Sequence, residues 1–263
     1  MVSRAAPTAR SPRVLLAAMV ALAFVAVGCS RADPERRAAV SAAPAPPPAV
    51  EPAAPPAPAP PPSPPKSLVA TARVPAVQVY ADPSTATPTA SIANPNDYGV
   101  PVVFLVKAPL GDWLHVALPK RPNGATGWIR ASDVTLTESE WRLKVELGAR
   151  KLTVWKGADV VREETVAIGM ARAPTPTGDF YLTELLDTGN PAGPYGPWAF
   201  GLSAYSDVYT SFAGGPGQVG LHGTNEPTKL GRDVSHGCIR VTNEAITALA
   251  TELPVGSPIT IVP

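Results

Sequence analysis

The chain has 263 residues, which is enough for one large domain or two small ones. Its formal net charge of +1 gives no support for binding to nucleic acid or to an acidic partner. The 34 prolines are unevenly spread, and their concentration in one segment separates a linker from the parts of the chain on either side.

Residues 1–29 have the pattern of a secretory signal peptide. Basic residues stand at its start, namely Arg4, Arg10 and Arg13. They precede an apolar run over residues 14–27, which is too short for a comfortable membrane span. The run ends in Ala26-Val27-Gly28-Cys29, which resembles a lipobox, although Ala26 stands where leucine is usual. This resemblance implies that Cys29 is diacylated and anchors a membrane lipoprotein.

A plain cleaved leader and an uncleaved N-terminal anchor are the two alternatives for this segment. All three interpretations place the rest of the chain outside the cytoplasm, at the membrane, in the periplasm or in the cell wall. In that oxidising space Cys29 and Cys238 could pair as a disulfide. We expect instead that Cys29 is acylated or removed, which leaves Cys238 free and reactive.

Residues 30–66 are predicted to form a disordered linker. Proline and alanine dominate residues 43–65, and such a composition cannot bury enough apolar surface to offset its ordering entropy. In extended polyproline II conformation, at about 3.1 Å per residue, the proline-rich part would reach on the order of 70 Å. We interpret the segment as a semi-rigid tether between membrane and wall polymer, with a passive spacer as the alternative.

Residues 67–137 are predicted to form a small all-β domain. Residues 77–80 alternate apolar and polar side chains, and Pro122-Asn123-Gly124 is typical of a hairpin turn. The segments Trp113-Leu114-His115-Val116 and Gly127-Trp128-Ile129 together resemble a bacterial SH3-like barrel. That resemblance implies binding to wall peptides or glycan. A rigid spacer that only positions its neighbour is the alternative.

Residues 140–263 are predicted to form a second, β-rich domain. Alternating apolar residues predict strands over residues 141–147, 151–156, 160–168, 179–185, 198–203, 218–222 and 259–262. Residues 187–197 are rich in Gly, Pro and Asn and predict a long loop of the kind that is often functional. Residues 243–253 predict a helix, because their apolar residues recur at helical spacing after the potential caps Thr242 and Asn243. The predicted fold class is therefore mainly β with one or two short helices.

The segment from His222 to Arg240 contains two of the three histidines and the only cysteine outside the predicted leader. Cys238 follows Gly237, and His236 and Arg240 are close to it in sequence. An unperturbed cysteine, with a pKa of about 8.5, is only about 3% thiolate at pH 7. A nearby imidazolium or other cation that lowers the pKa to about 6 makes it roughly 90% thiolate. We therefore expect Cys238 to be partly ionised.

Cys238 has two alternative interpretations. A lone cysteine is often a small buried hydrophobic residue, but the flanks of Cys238 are polar, rich in glycine and contain histidine. Cys238 and the two histidines could also supply three zinc ligands. His236 and Cys238 are too close in sequence for the usual zinc-finger spacings, and a second cysteine cluster is missing.

The triplet His222-Gly223-Thr224, a glycine-containing loop and the run from Ser235 to Arg240 resemble the catalytic signature of the L,D-transpeptidases of the YkuD type. Softer similarity extends from about Trp141 to the C-terminus. The resemblance implies a β-rich transpeptidase domain in which Cys238 is the nucleophile and His222 the proton acceptor and donor. It also implies roles for neighbouring residues: Ser235, His236 and Gly237 would shape the oxyanion site and hold the imidazole, and Gly223, Thr224 and Arg240 would contact substrate, unless Arg240 braces the loop.

By the same resemblance, the substrate is a stem tetrapeptide of peptidoglycan. Release of D-Ala through a thioester would be followed by formation of a 3→3 cross-link. The chemistry needs no metal and no organic cofactor, and carbapenems are expected to acylate the thiol. The open alternatives are an L,D-carboxypeptidase, a transpeptidase that anchors proteins to the wall, and a non-catalytic wall-binding lipoprotein. A sortase-like enzyme is disfavoured by the Ser-His-Gly-Cys order.

Overall fold

A computed structural model describes residues 64–212 and 214–263. The predicted signal peptide over residues 1–29, its lipobox cysteine Cys29 and residues 30–63 of the predicted linker lie outside the described residues. Within the described ranges, none of the helices has the length and apolar character needed to cross a membrane.

The first part of the described chain consists of seven short strands. They are β1 (Ser67–Ala72), β2 (Ala76–Val79), β3 (Ala90–Ala93), β4 (Val103–Leu110), β5 (Trp113–Ala117), β6 (Thr126–Arg130) and β7 (Val134–Ser139). Five of these strands form an antiparallel sheet in the order β6-β5-β4-β1-β7, and β2 and β3 pair with each other. This all-β unit was predicted from the alternating pattern. Its assignment to the SH3-like class stays a prediction.

Alternation along β5 shows why this sequence forms a strand with one buried face. Leu114 and Val116 are buried in the core of the unit together with Phe104 and Ile129. Side chains of successive residues point to opposite faces of a strand, so His115 lies on the other face. Its imidazole stacks on the ring of Trp128, with 4.9 Å between ring centroids.

The second part contains ten strands and the only α-helix of the described chain. The elements are β8 (Trp141–Glu146), β9 (Lys151–Lys156), β10 (Asp159–Thr165), β11 (Ile168–Gly169), β12 (Gly178–Asp187), β13 (Trp198–Tyr205), β14 (Gln218–His222), β15 (Asp233–Ser235), β16 (Ile239–Arg240), α1 (Asn243–Glu252) and β17 (Pro258–Val262). Eight strands form one sheet in the order β10-β9-β8-β17-β12-β13-β14-β16, and β11 pairs with β15. The mainly β fold is confirmed, as is the helix.

Helix α1 is held by its cap and by its apolar face. The Thr242 hydroxyl accepts a hydrogen bond from the Ala245 N–H at 3.0 Å, which satisfies one of the free donors at the start of the helix. Ile246 and Leu249 are fully buried in the core of the large sheet. Burial of each such side chain stabilises the fold by about 1.5–3 kcal/mol. This packing fixes the start of α1, and the start of α1 supports the loop that follows β14.

The two β units share a buried interface within one compact unit of the chain. Tyr181 of β12 is fully buried and packs with Val69 and Val103 of the first unit. Its hydroxyl donates a hydrogen bond to the Val103 carbonyl at 3.1 Å. A buried tyrosine hydroxyl requires such a partner, so the two units are matched by polar geometry as well as by apolar contact.

Candidate active site

Strand pairing brings Cys238 and His222 together. β16 lies parallel to β14, with Leu221 opposite Ile239 and His222 opposite Arg240. Cys238 directly precedes β16, and the Gly220 N–H of β14 contacts its sulfur at 3.4 Å. Cys238 and His222 line the same cavity, whose volume is about 370 Å³.

The His222 imidazole is fixed in one tautomer. Its side chain is only 2% exposed, and Nδ1 lies 2.6 Å from the carbonyl oxygen of Gly223. Because a carbonyl oxygen can only accept a hydrogen bond, Nδ1 carries the proton and Nε2 keeps a free lone pair. The Tyr195 ring packs edge-on against the imidazole, with 4.8 Å between centroids. His222 is thus oriented to accept a proton through Nε2, and Gly223, not the predicted Ser235-His236-Gly237 group, holds the ring.

Burial keeps both reactive groups neutral at rest. It is the main cause that lowers the pKa of His222 from 6.5 to about 4, and the Arg240 cation lowers it further, against the hydrogen bond to Gly223. Burial also raises the pKa of the Cys238 thiol, although the Gly220 N–H and Arg240 oppose this effect. The expectation of a partly ionised thiol is therefore wrong. Nearby cations are visible in the sequence, but the desolvation that outweighs them is not.

Ser235 braces the turn that carries the thiol. Its side chain is fully buried, and Oγ donates to the Cys238 carbonyl at 2.6 Å while it accepts from the Gly237 N–H at 3.1 Å. Gly237 has a φ of 119°, which disfavours any residue with a Cβ. The bond to Ser235 engages the Gly237 N–H, one of the donors predicted to steady an oxyanion. Ser235 and Gly237 therefore shape the turn from behind the thiol.

The remaining predicted site residues surround the cavity without lining it. The His236 ring packs against Phe212 and Tyr209, with centroid separations of 5.1 and 5.8 Å. Arg240 Nη1 lies 3.4 Å from Glu226 Oε2, which supports the loop-bracing alternative. Within the described residues, the buried Nε of Arg240 has no hydrogen-bond partner.

Gly223 and Thr224 are buried behind His222, and neither is part of the cavity wall. A substrate bound in this cavity would therefore not touch Gly223, Thr224 or Arg240 through the cavity wall, contrary to the prediction. Within residues 64–212 and 214–263, no group of three or more His, Cys, Asp or Glu side chains is arranged to hold a metal ion.

Asn243, predicted only as a helix cap, supports His222 from the start of α1. Its Oδ1 accepts from the Thr224 N–H at 2.9 Å, and its Nδ2 donates to the Pro191 carbonyl at 3.0 Å. A Cβ on Gly223 or on Gly196 would collide with Asn243 Oδ1. The two glycines allow the loop before β13 to pack directly against the residue that holds the imidazole. This contact depends on three distant segments, so a sequence pattern could not reveal it.

Arg121 of the first β unit holds one wall of the cavity. Its guanidinium donates to the carbonyls of Ser206 at 2.7 Å, Tyr209 at 2.7 Å and Pro216 at 3.1 Å. These carbonyls belong to the loop between β13 and β14. Members of that loop line the cavity, namely Phe212, Gly215, Pro216 and Gly217. Asn123 belongs to the predicted hairpin turn that directly follows Arg121. Its side-chain amide accepts a hydrogen bond from the Tyr205 N–H and donates one to the Tyr205 carbonyl, both at 2.8 Å.

Replacing Arg121 with alanine is expected to raise the KM of a peptide substrate that binds against this wall about tenfold, because hydrogen bonds from a charged group typically contribute about 1.5–3 kcal/mol each. The rate at which iodoacetamide alkylates Cys238 should change less than about twofold in this variant, because so small a reagent does not have to bind along the whole wall. Lys120→Ala, a change at an exposed neighbouring cation, is the matched control. Equal KM values for the two variants would show that Arg121 does not hold the wall.

Residues 140–261 match the family model of the L,D-transpeptidase catalytic domain, YkuD. The YkuD protein of Bacillus subtilis (strain 168) is 36% identical over 121 residues, which cover 46% of this chain and 65% of that protein. Its counterpart in Bacillus licheniformis is 33% identical over 123 residues, which cover 47% of this chain and 66% of that protein. The chain thus spans just under two thirds of the length of these curated relatives.

Among solved structures, an L,D-transpeptidase from Mycobacterium smegmatis is similar over 62% of this chain and 91% of its own, at 17% identity and a TM-score of 0.37. The family match covers His222 and Cys238, which both line the cavity. The segment of the chain that carries Cys238 and His222 therefore matches the YkuD-type L,D-transpeptidase catalytic domain.

Proposed function

We propose that the chain is a cysteine-dependent L,D-transpeptidase that acts on stem tetrapeptides of peptidoglycan. The observation that carries the proposal is that the Cys238 thiol and the His222 imidazole, with a free lone pair on Nε2, line one cavity. A thiol next to an oriented base is the arrangement that nucleophilic acyl transfer requires. The match of residues 140–261 to the catalytic-domain family supports the choice of substrate.

In the first half-reaction, the sulfur attacks the carbonyl carbon of the third stem residue while His222 Nε2 takes the thiol proton. The neutral resting state of both groups favours this concerted course over a preformed thiolate. We assign stabilisation of the oxyanion to the backbone N–H of Cys238. One such donor typically contributes about 3–4 kcal/mol. The carbon–nitrogen bond to D-Ala then breaks, and the leaving amine takes its proton from His222, which leaves a thioester on Cys238.

In the second half-reaction, a side-chain amine of another stem attacks the thioester carbonyl. His222 accepts a proton from the attacking amine and returns one to the departing sulfur, so the thiol is restored and a 3→3 cross-link forms. Water in place of the amine would release a tripeptide, which is L,D-carboxypeptidase chemistry. An amine from a protein would anchor that protein to the wall.

The N-terminal segments fit this function as part of the proposal. The lipobox-like Cys29 would anchor the chain to a membrane outside the cytoplasm, and the proline-rich linker would extend toward the wall. The SH3-like prediction for residues 67–137 would add a contact with wall peptides or glycan. By the resemblance to the L,D-transpeptidases, carbapenems would acylate the Cys238 thiol and inhibit the protein covalently.

The test is to incubate the purified protein with disaccharide tetrapeptides and to measure free D-Ala and cross-linked dimers by mass spectrometry. We expect release of D-Ala together with a 3→3 linked dimer. Disaccharide tripeptides, which have no terminal D-Ala, are the control substrate. Tripeptide product without dimer would replace the proposal with a carboxypeptidase. Binding without any D-Ala would replace it with a non-catalytic wall-binding protein.

A further inference from the structure

The cavity that holds Cys238 adjoins a second cavity of about 360 Å³, which is lined by residues of both β units. Residues shared by both cavity walls are Tyr98, Glu184, Gly215, Pro216 and Gln218. The second cavity is also lined by Asp97 and Tyr205. Glu184 therefore stands where the two cavities meet, between the thiol and residues of the first β unit.

Glu184 is an unusual member of this wall because its carboxylate is buried without a cation. The residue is only 4% exposed. Its Oε1 accepts from Gln218 Nε2 at 2.9 Å, and its Oε2 accepts from Asn96 Nδ2 at 3.4 Å. In the described part of the chain, no Lys, Arg or His forms an ion pair with Glu184. Burial accordingly raises its pKa.

The surroundings of Glu184 keep its carboxylate in the cavity. A Cβ on Gly201 would collide with Glu184 Oε1, so the bare glycine makes room for the group. Gln218 Nε2 is itself held by the Leu202 carbonyl and the Thr183 hydroxyl, both at 3.0 Å. Two neutral amide donors satisfy hydrogen bonds but cannot cancel a buried negative charge. The wall is therefore built around a charge that a bound cation would neutralise.

The aromatic side chains beside Glu184 narrow the chemistry of that cation. Tyr98 and Tyr205 line the same cavity. The Arg121 guanidinium already lies over the Tyr205 ring, 5.2 Å from its centroid, whereas the exposed Tyr98 ring offers a face that attracts organic cations. The Asp97 carboxylate adds further negative charge and disfavours an anionic ligand. A carboxylate flanked by aromatic rings suits an alkylammonium group, which offers three donors and an apolar stem.

We propose that Glu184, together with Tyr98, forms a subsite for a primary alkylammonium group of a stem peptide. The inference rests on the proposed function, because it takes the peptide from that function. The ammonium group can come from the diamino acid side chain of the donor stem or from the acceptor stem. In the first case Glu184 holds the charged end of the donor while Cys238 reacts at the other part of the cavity. In the second case Glu184 holds the incoming ammonium group until it loses a proton and attacks the thioester.

The first experiment measures binding without turnover, in a Cys238→Ala background. Dissociation constants are measured by calorimetry for a tetrapeptide with a free side-chain amine and for the same peptide acetylated at that amine. We expect the free amine to bind roughly tenfold or more tightly, and Glu184→Gln to remove the difference. The matched control is Glu163→Gln, the same change at an exposed position of β10. Equal affinities for the two peptides in the Cys238→Ala protein alone would overturn the proposal, even if the Glu184 variant did not fold.

The second experiment separates the two sources of the ammonium group. If the donor supplies it, acetylation of the donor or Glu184→Gln slows the release of D-Ala in the absence of acceptor. If the acceptor supplies it, acetylation of the donor leaves the release of D-Ala unchanged, and Glu184→Gln lowers the yield of dimer roughly tenfold. Absence of D-Ala release in the wild-type protein would count against the proposed function. The binding comparison would still decide whether Glu184 recognises ammonium.

Discussion

Cys238→Ala is expected to abolish the release of D-Ala, with a decrease of about 10⁴-fold or more, because the attacking sulfur is removed. Intact mass spectrometry should show one carbapenem adduct on the wild-type protein and none on the variant. Peptide mapping should place that adduct on Cys238. The reason is geometric: Cys238 is the thiol of the cavity, and His222 lies on the same wall to receive its proton.

Cys238→Ser is the matched control for this prediction. It keeps the size of the side chain but replaces the thiol with a hydroxyl, which is much harder to deprotonate beside a neutral imidazole. We expect the serine variant to unfold at nearly the same temperature as the wild type and to lose nearly all activity. Equal release of D-Ala by wild type and Cys238→Ala would refute the enzyme assignment. An adduct mapped to another residue would refute Cys238 as the nucleophile.

The second large effect concerns His222 and pH. Its pKa is about 4 in the folded protein and 6.5 when unperturbed, so between these values the unfolded chain binds more protons. The contribution to stability is therefore fully present above pH 6.5 and is lost as the pH falls to about 4. Its size is about 3 kcal/mol, from 1.36 kcal/mol per pKa unit. We expect the free energy of unfolding to fall by about 3 kcal/mol less in His222→Asn than in the wild type over this pH range.

Urea titrations of both proteins at pH 7 and pH 4 provide the measurement, since other titrating groups affect both proteins alike.

The same depressed pKa of His222 sets the acid limb of the pH profile of activity. Thioester formation should decline with an apparent pKa near 4, and His222→Asn should lower its rate about 10²–10⁴-fold. An apparent pKa near 6.5 would mean that the imidazole is solvated or paired with a thiolate.

The sequence predicted the strands well where one face is buried and alternation is strong. Leu143 and Val145 in β8, and Leu152 and Val154 in β9, are examples, and all four are in the core. The identities of Cys238 and His222 came from a short motif, and their joint place in one cavity follows from the pairing of β14 with β16. Local pattern was sufficient for the strands.

The protonation state of the pair and the contacts around it were not accessible in the same way. Burial of the thiol and the imidazole depends on the whole sheet, so the sequence suggested a thiolate where the structure favours a neutral pair. Arg121 and Glu184 are ordinary charged residues in sequence. Arg121 holds the loop beside the cavity, and Glu184 lines the cavity, only because strands far apart in the chain are packed together. Long-range contacts of this kind leave no periodic signal.

The hydrogen bonds from Arg121 to the carbonyls of Ser206, Tyr209 and Pro216 have a consequence for evolution and for protein engineering. A chimera that exchanges residues 67–137 for an unrelated β domain would keep Cys238 and His222 but lose the anchor of the neighbouring loop. We therefore expect recombination between homologues to succeed only when both sides of that contact come from the same parent.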